Sequence, residues 1–316
     1  TYFHLEFPIQ YSDEDVSCAL LRELLTTSVK KRLMSDQPIG CLLSGGIDSS
    51  IICSLVNQLS GSNQVHTFSI GFENSPDILH AEKVALHLNT NHTTFLVTEQ
   101  EMLDAIEPTI QQIESYDTTT VRASVPMYLL SKKIRETTSV KVILSGEGAD
   151  ELSGSYLYFH KAPNPKEFQE ECLRLVRDVQ HFDVLRGDKT TAGHGLEIRV
   201  PFFDKKFVKE YMSIDPSLKM VRHGYEKYLL RKTFESDLPK EIVWRRKDGF
   251  SDGVSCMEKP WYQIIDDFTR RTYNLSEDDY YQSLFQKYYR GREYIVPYQW
   301  LPKWTHETNP SGRLIL

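Results

Sequence analysis

The sequence predicts an α/β fold with a doubly wound, mostly parallel sheet and a helical C-terminal region. Short apolar runs of strand type recur at residues 39–43, 65–70, 92–97 and 140–144. Segments with apolar residues at helical spacing separate them. Two of the runs lead directly into glycine-rich turns, Ser44-Gly45-Gly46 and Ser145-Gly146-Glu147-Gly148. Strands alternating with helices in this way form a parallel sheet with helices on both faces and ligands at the strand carboxyl ends.

The elements follow in order. Residues 11–34 predict a lead-in helix, with Val16, Leu20, Leu21, Leu24, Leu25, Val29 and Leu33 on one face. After the first strand and its turn, a helix starts at Asp48 and carries Ile51, Ile52, Leu55, Val56 and Leu59. The second strand, 65–70, ends at Gly71. Ser75 then supplies an N-cap and Pro76 the first helical position of a helix through Leu79, Val84, Ala85 and Leu88. The third strand is 92–97. Thr98 and Glu101 form a capping box for the next helix, which Pro108 must kink or end. A further helix is expected over 126–135, before the buried strand 140–144. From about residue 160 the pattern changes: 167–179, 205–212, 226–234 and 261–273 read as helices, with no clear buried strand. No Gly/Ser- or Pro-rich linker divides the chain, so 1–316 is expected to be one unit, an α/β core at about 35–160 with a helical region at 161–316 packed on it. Tyr280-Tyr281, Tyr288-Tyr289, Trp300 and Trp304 are read as a surface aromatic cover over that core.

Composition narrows the function classes. The 316 residues are 40% hydrophobic and 26% charged, as in soluble globular proteins. A net charge of −7 argues against a nucleic-acid binder, which usually carries a basic face. No apolar stretch reaches membrane-span length and no signal-peptide pattern opens the sequence. Five scattered cysteines (Cys18, Cys41, Cys53, Cys172, Cys256) read as reduced thiols of a cytoplasmic protein. Neither they nor the ten histidines have metal-ligand spacing.

The two glycine-rich loops carry the chemistry. Strand, glycine turn and helix aim backbone N–H groups and a helix N-terminus at an anion. The first loop is no Walker motif, because no Gly-Lys-Ser/Thr follows. Asp48 stands where a carboxylate would repel phosphates unless a cation lies between, so the loop reads as a pyrophosphate cradle with Mg²⁺ held partly by Asp48. The alternative is an ordinary turn with Ser and Asp capping a helix. The second loop, Ser145-Gly146-Glu147-Gly148-Ala149-Asp150-Glu151, would face the same crevice, with Gly146 and Gly148 permitting close backbone approach. Glu147 and Asp150 add acid to an acidic site, which calls for Mg²⁺ or a basic substrate.

The string Ser44-Gly45-Gly46-Ile47-Asp48-Ser49 resembles the signature loop of the ATP pyrophosphatases, whose fold is adenine nucleotide alpha-hydrolase-like. The wider set resembles the synthetase domain of the glutamine-hydrolysing asparagine synthetase family. It comprises Asn74-Ser75-Pro76-Asp77, the segment 116–124 (Tyr116 to Ser124), the second loop, Tyr156 through Pro163, Glu197-Ile198-Arg199-Val200-Pro201-Phe202 and the segment 244–253. It covers nearly the whole chain, to Asn309-Pro310-Ser311-Gly312-Arg313.

That resemblance implies ATP as substrate, Mg²⁺, and synthesis of asparagine from aspartate and ammonia through β-aspartyl-AMP. It implies Leu42 and Ile70 around adenine and ribose, Ser145 and Gly146 on the nucleotide, and Ser44, Gly45, Gly46, Asp48 and Ser49 on the pyrophosphate. Asp48 and Asp150 would hold the metal. Glu147 matches the acid linked to adenylate formation, Thr119 and Arg122 match positions tied to aspartate, and Lys247 matches a lysine facing the phosphates. A structural ion pair is the alternative for Arg122, as a solvated basic run is for Lys247. The sequence departs from the family at Asp248-Gly249, after Lys247, and at Gly154-Ser155. A glutaminase domain is expected upstream in a full-length protein, and its cysteine nucleophile has no counterpart in this chain, which is expected to use free ammonia. A homodimer is compatible with such a chain. A β-lactam synthetase-like enzyme acting on another carboxylate is the alternative within the same chemistry.

Overall fold

A computed structural model describes residues 7–61, 64–246, 253–255 and 259–306. Five strands, β1 (Ile39–Leu42), β2 (His66–Gly71), β3 (Asn91–Leu96), β4 (Val142–Leu144) and β5 (Glu197–Arg199), form one all-parallel sheet ordered β3-β2-β1-β4-β5. Gly40 lies opposite His66 on one side of β1 and opposite Ile143 on the other. The strand order reverses direction at β1 and β4, so the connections leaving these two strands diverge and open a crevice above their carboxyl ends.

Helices cover both faces, and two hydrophobic clusters follow from them. On one face, α1 (Glu14–Lys31), α2 (Ile47–Leu59) and α3 (Pro76–Leu88) bury Leu21, Leu25, Ile51, Ile52, Ala81 and Val84. Ile51 and Ile52 are fully buried, and truncating either to Ala would cost about 2–5 kcal/mol. On the other face, α4 (Glu99–Asp104), α5 (Ile106–Ile113) and α6 (Thr118–Thr137) bury Met102, Ile106, Ile110, Val121 and Val125. The capping box at Thr98 and Glu101 forms. The break enforced around Pro108 falls at Ala105, which leaves the proline in the first turn of α5, where its missing N–H has no intrahelical acceptor to lose.

The second half packs on this core through α7 (Ala149–Ser153), α8 (Pro165–Asp178), α9 (Asp183–Ala192), α10 (Lys205–Met212), α11 (Pro216–Lys219), α12 (Tyr228–Thr233), α13 (Lys240–Val243), α14 (Trp261–Tyr273) and α15 (Glu277–Tyr289). Among the described residues no helix is long and apolar enough to cross a membrane.

Four features differ from the sequence expectations. Helix α6 begins at Thr118, not at 126, and runs through Pro126. That proline leaves the Arg122 carbonyl without its i→i+4 donor. The indole N–H of Trp261 donates to this carbonyl instead, at 3.2 Å, which explains why the helix survives. Strand β5 lies in the half read as lacking strands; its three residues pair with β4 only, too short a run to show alternation. Helix α9 was not foreseen, because the face it buries carries Arg186, Gly187, Thr190 and Thr191, which leave no apolar period to read. The aromatic-rich segment is more than a cover: Tyr281 and Phe285 are fully buried in the second cluster, while Tyr288 stays exposed.

Candidate active site

The loops after β1 and β4 meet at the crevice. A Cβ placed on Gly146 would lie 2.7 Å from the Ser49 nitrogen and 3.0 Å from the Asp48 Cβ, so the second glycine loop rests directly on the start of α2. Gly45 has φ +71°, and a Cβ there would meet His80 at 2.4 Å; backbone conformation and the approach of α3 both demand glycine. Ser49 closes the first loop: its hydroxyl accepts from the Ser44 nitrogen at 3.2 Å and donates to the Gly46 carbonyl at 3.1 Å. The N-cap Gly46 makes no side-chain cap, so the first-turn N–H groups of α2 face the crevice uncapped.

Two acids predicted from sequence, Asp48 and Asp150, converge on a residue that sequence reasoning missed. The buried ammonium of Lys227 donates to both carboxylates. Burial works against this ammonium, but the charges of Asp150 and Asp48 outweigh it and raise its pKa. Lys227 has φ +56°, a left-handed conformation that costs a non-glycine residue about 1 kcal/mol or more. Glu226 beside it is held by His160 and by Arg231, whose Nε donates to the Glu226 carbonyl at 2.7 Å. The only signal in the sequence was the surplus of acids in the two loops; which lysine answers it is decided by tertiary structure.

Asp48 Oδ1 is buried with no hydrogen-bond partner among the described residues. Two hard oxygen donors on either side of one cation, one with an unmet valence, fit Mg²⁺, which takes one or two carboxylates and completes its shell with phosphate and water. Among the described residues no group of three or more His, Cys, Asp or Glu side chains could enclose a metal. The protein's share of a Mg²⁺ site would thus be this pair.

Glu147 lies in the same crevice, its side chain 18% exposed and bonded to Arg186 at 2.5 Å. Burial pushes its carboxyl above the usual range, against the pull of Arg186. Ser145 is buried, its N–H bonded to the Arg199 carbonyl at 3.0 Å, and its hydroxyl accepts from the Glu147 nitrogen at 3.3 Å. Leu42 ends β1 and is partly buried, and Ile70 is buried near the end of β2.

Thr119 and Arg122, on the first turns of α6, engage other partners. The Thr119 hydroxyl donates to Asp117 at 2.7 Å, and Asp117 also caps the helix through the Thr120 nitrogen at 2.9 Å. Arg122 makes a buried two-pronged pair with Glu277, Nε to Oε1 at 2.7 Å, and Tyr281 donates to the same carboxylate at 2.9 Å. Its side chain is thus held in the ion pair that the sequence offered as the alternative. Lys247 and Asp248-Gly249 lie outside the described residues. Their described flanks reach the mouth of the crevice: Arg245 contacts Asp77 at 3.4 Å, and the Val254 carbonyl accepts from Phe72 at 2.8 Å.

Comparison with known proteins bears on this geometry. The asparagine synthase family model matches residues 20–168 and 161–301. Glutamine-hydrolysing asparagine synthetases of Bos taurus and Homo sapiens are each 45% identical over 93% of this chain. The chain spans 57% of the length of these relatives. Among solved structures, the NMN synthetase of Francisella tularensis aligns over 92% of this chain and 99% of its own, with 13% identity and a TM-score of 0.39.

Proposed function

The chain belongs to the asparagine synthase family, and from that premise we propose that it forms asparagine from aspartate, ATP and ammonia. The β-carboxylate of aspartate attacks the α-phosphorus of ATP, which breaks the bond to the β-phosphate and yields β-aspartyl-AMP and pyrophosphate. Ammonia then attacks the activated carbonyl and AMP leaves. Activation is needed because oxide is a far poorer leaving group than AMP.

The observation that carries the reading is the seat of Gly146 on Asp48 and Ser49 at the strand-order reversal. It supports one nucleotide site built from both glycine loops. In that site the 44–49 loop and the uncapped start of α2 bind the pyrophosphate, while Leu42 and Ile70 flank adenine and ribose. Ser145 and Gly146 approach the nucleotide through backbone. Asp48 and Asp150 hold Mg²⁺, which would screen the phosphate charge, and the Lys227 ammonium adds a fixed positive charge beside the leaving group. Glu147, raised in pKa by burial, is suited to hold or accept a proton at neutral pH. Arg122 and Thr119 shape the aspartate side through the start of α6, while Lys247, outside the described residues, is assigned to the phosphates by the family resemblance alone.

The test is pyrophosphate release with ATP, Mg²⁺ and a panel of amino acids, with and without ammonium. Release that depends on aspartate, with asparagine formed when ammonium is added, supports the reading. Release with another carboxylate and not with aspartate would move it to a different amide synthetase. Asparagine formed with glutamine as the sole nitrogen source, in glutaminase-free protein, would contradict the use of free ammonia.

A further inference from the structure

Beside the crevice a chain of polar side chains runs inward from Glu147. Arg186 binds Glu147 at 2.5 Å and Asp183 at 2.9 Å. The Tyr156 hydroxyl then bridges Asp183 at 3.2 Å and Glu151 at 2.5 Å. Three carboxylates thus share one guanidinium and one phenol. Burying acids without matching cations is costly, so the arrangement is short of positive charge. Glu151 is only 3% exposed, and its Oε2 has no hydrogen-bond partner among the described residues. Arg186 Nε, also buried, is an unused donor on the same chain.

These open valences define what would fit. The ligand must be small, because Glu151 is enclosed, and it must offer N–H or O–H donors to carboxylate oxygens. A cation meets the charge deficit, and one able to shed a proton would also gain a lone pair for a donor such as Arg186 Nε. A bare metal ion would need more oxygen ligands than this chain supplies. We propose that Glu151 and Asp183, linked by Tyr156, form the uptake site for ammonia, received as the ammonium ion, the nitrogen substrate of the reaction above. This rests on the proposed function for the identity of the ligand, and goes beyond it in assigning residues outside the nucleotide site. Asp183, with its side chain 27% exposed, is the outer end of the path and Glu151 the inner end. Arg186 ties the path to Glu147, at the crevice.

The experiment separates the two half-reactions in Glu151→Gln, Asp183→Asn and Tyr156→Phe. Aspartate-dependent exchange between ATP and labelled pyrophosphate, run without ammonium, reads adenylation alone. The KM for ammonium in asparagine formation reads the second step. Losing one hydrogen bond to a charged group should raise that KM about tenfold or more in Glu151→Gln, with exchange within about twofold of wild type. An unchanged ammonium KM, or exchange falling in parallel with synthesis, would overturn the proposal. Binding is also read without turnover: ammonium chloride should raise the melting temperature of the wild type more than matched sodium chloride does, and Glu151→Gln should lose that difference. Equal ammonium shifts in both proteins would sink the site. Absence of aspartate-dependent exchange in the wild type would instead sink the proposed function, and leaves the melting comparison standing.

Discussion

Gly146 sits against Ser49 so closely that a methyl group on the glycine would stand 2.7 Å from the serine's backbone nitrogen. The contact sets the spacing of the two loops, and backbone on the serine side can give way only by moving the start of α2. Gly146→Ala is therefore expected to spread the crevice, raising the KM for ATP at least about tenfold and lowering the melting temperature, since overpacking costs about 1–3 kcal/mol. An unaltered KM for ATP would show that the loops do not share one ligand.

Asp48→Asn tests the carboxylate without changing its shape. The amide keeps volume and hydrogen bonding but loses the charge that Mg²⁺ needs. Pyrophosphate release should fall by about a hundredfold, or roughly 3 kcal/mol of barrier, with the fold intact. Near-normal turnover with unchanged Mg²⁺ dependence would reduce Asp48 to a helix-end residue.

Lys227→Met removes the ammonium that Asp48 and Asp150 share. Breaking a buried pair from one side costs about 3–5 kcal/mol, discounted here because both carboxylates are partly exposed. The two acids then face each other unscreened. Mg²⁺ at millimolar concentration should accordingly raise the melting temperature of the variant more than that of the wild type. Equal response in both proteins would mean the pair is not a cation site.

Much of this arrangement was legible in the sequence, and the reason is local. The turn at Gly45, the cap at Thr98 and the paired apolar runs are determined by residues near one another in the chain, so β1 to β4 and the two loops could be read directly. Lys227, Arg186, Asp183 and Glu277 could not. Each meets a partner at least 27 positions away, Asp183 and Tyr156 being 27 and Lys227 and Asp48 179 residues apart, and polar residues on amphipathic helices look alike before they are packed. Pro126 shows the same limit: only the distant Trp261 explains how a helix passes through it.

Arg122 and Glu277 give a further test, because the pair is both buried and two-pronged. Glu277→Gln should destabilise the protein by about 3–5 kcal/mol, as the buried guanidinium loses the carboxylate that matches its charge. The double variant Arg122→Met/Glu277→Leu removes both charges and should recover much of that loss. If the double variant is as unstable as the single one, the pair is not the main determinant at this position. Recovered stability without recovered aspartate turnover would assign Arg122 a role in the reaction beyond the ion pair.

The pH dependence of stability has an identifiable contributor in His92 on β3. Its ring lies between Thr67 Oγ1, 2.9 Å from Nδ1, and Ser69 Oγ, 3.0 Å from Nε2. Burial pushes its pKa down to about 4, only partly offset by a hydrogen bond from the ring to the Thr67 backbone carbonyl, against an ordinary value of 6.5. Above 6.5 the ring is neutral in both folded and unfolded chains and contributes no slope. Between 6.5 and about 4 the unfolded chain binds a proton that the folded one refuses, so stability falls as the pH falls through that window. The whole effect is at most about 3 kcal/mol, from the free energy carried by each unit of pKa. Carboxylates add their own acid-side slopes, so the informative quantity is a difference. His92→Gln keeps a donor and an acceptor near Thr67 and Ser69 but does not titrate. Urea midpoints measured across the window should fall less steeply in the variant than in the wild type, and the two should run parallel above it. Parallel curves throughout would show that His92 takes up its proton as readily in the folded protein as in the unfolded chain.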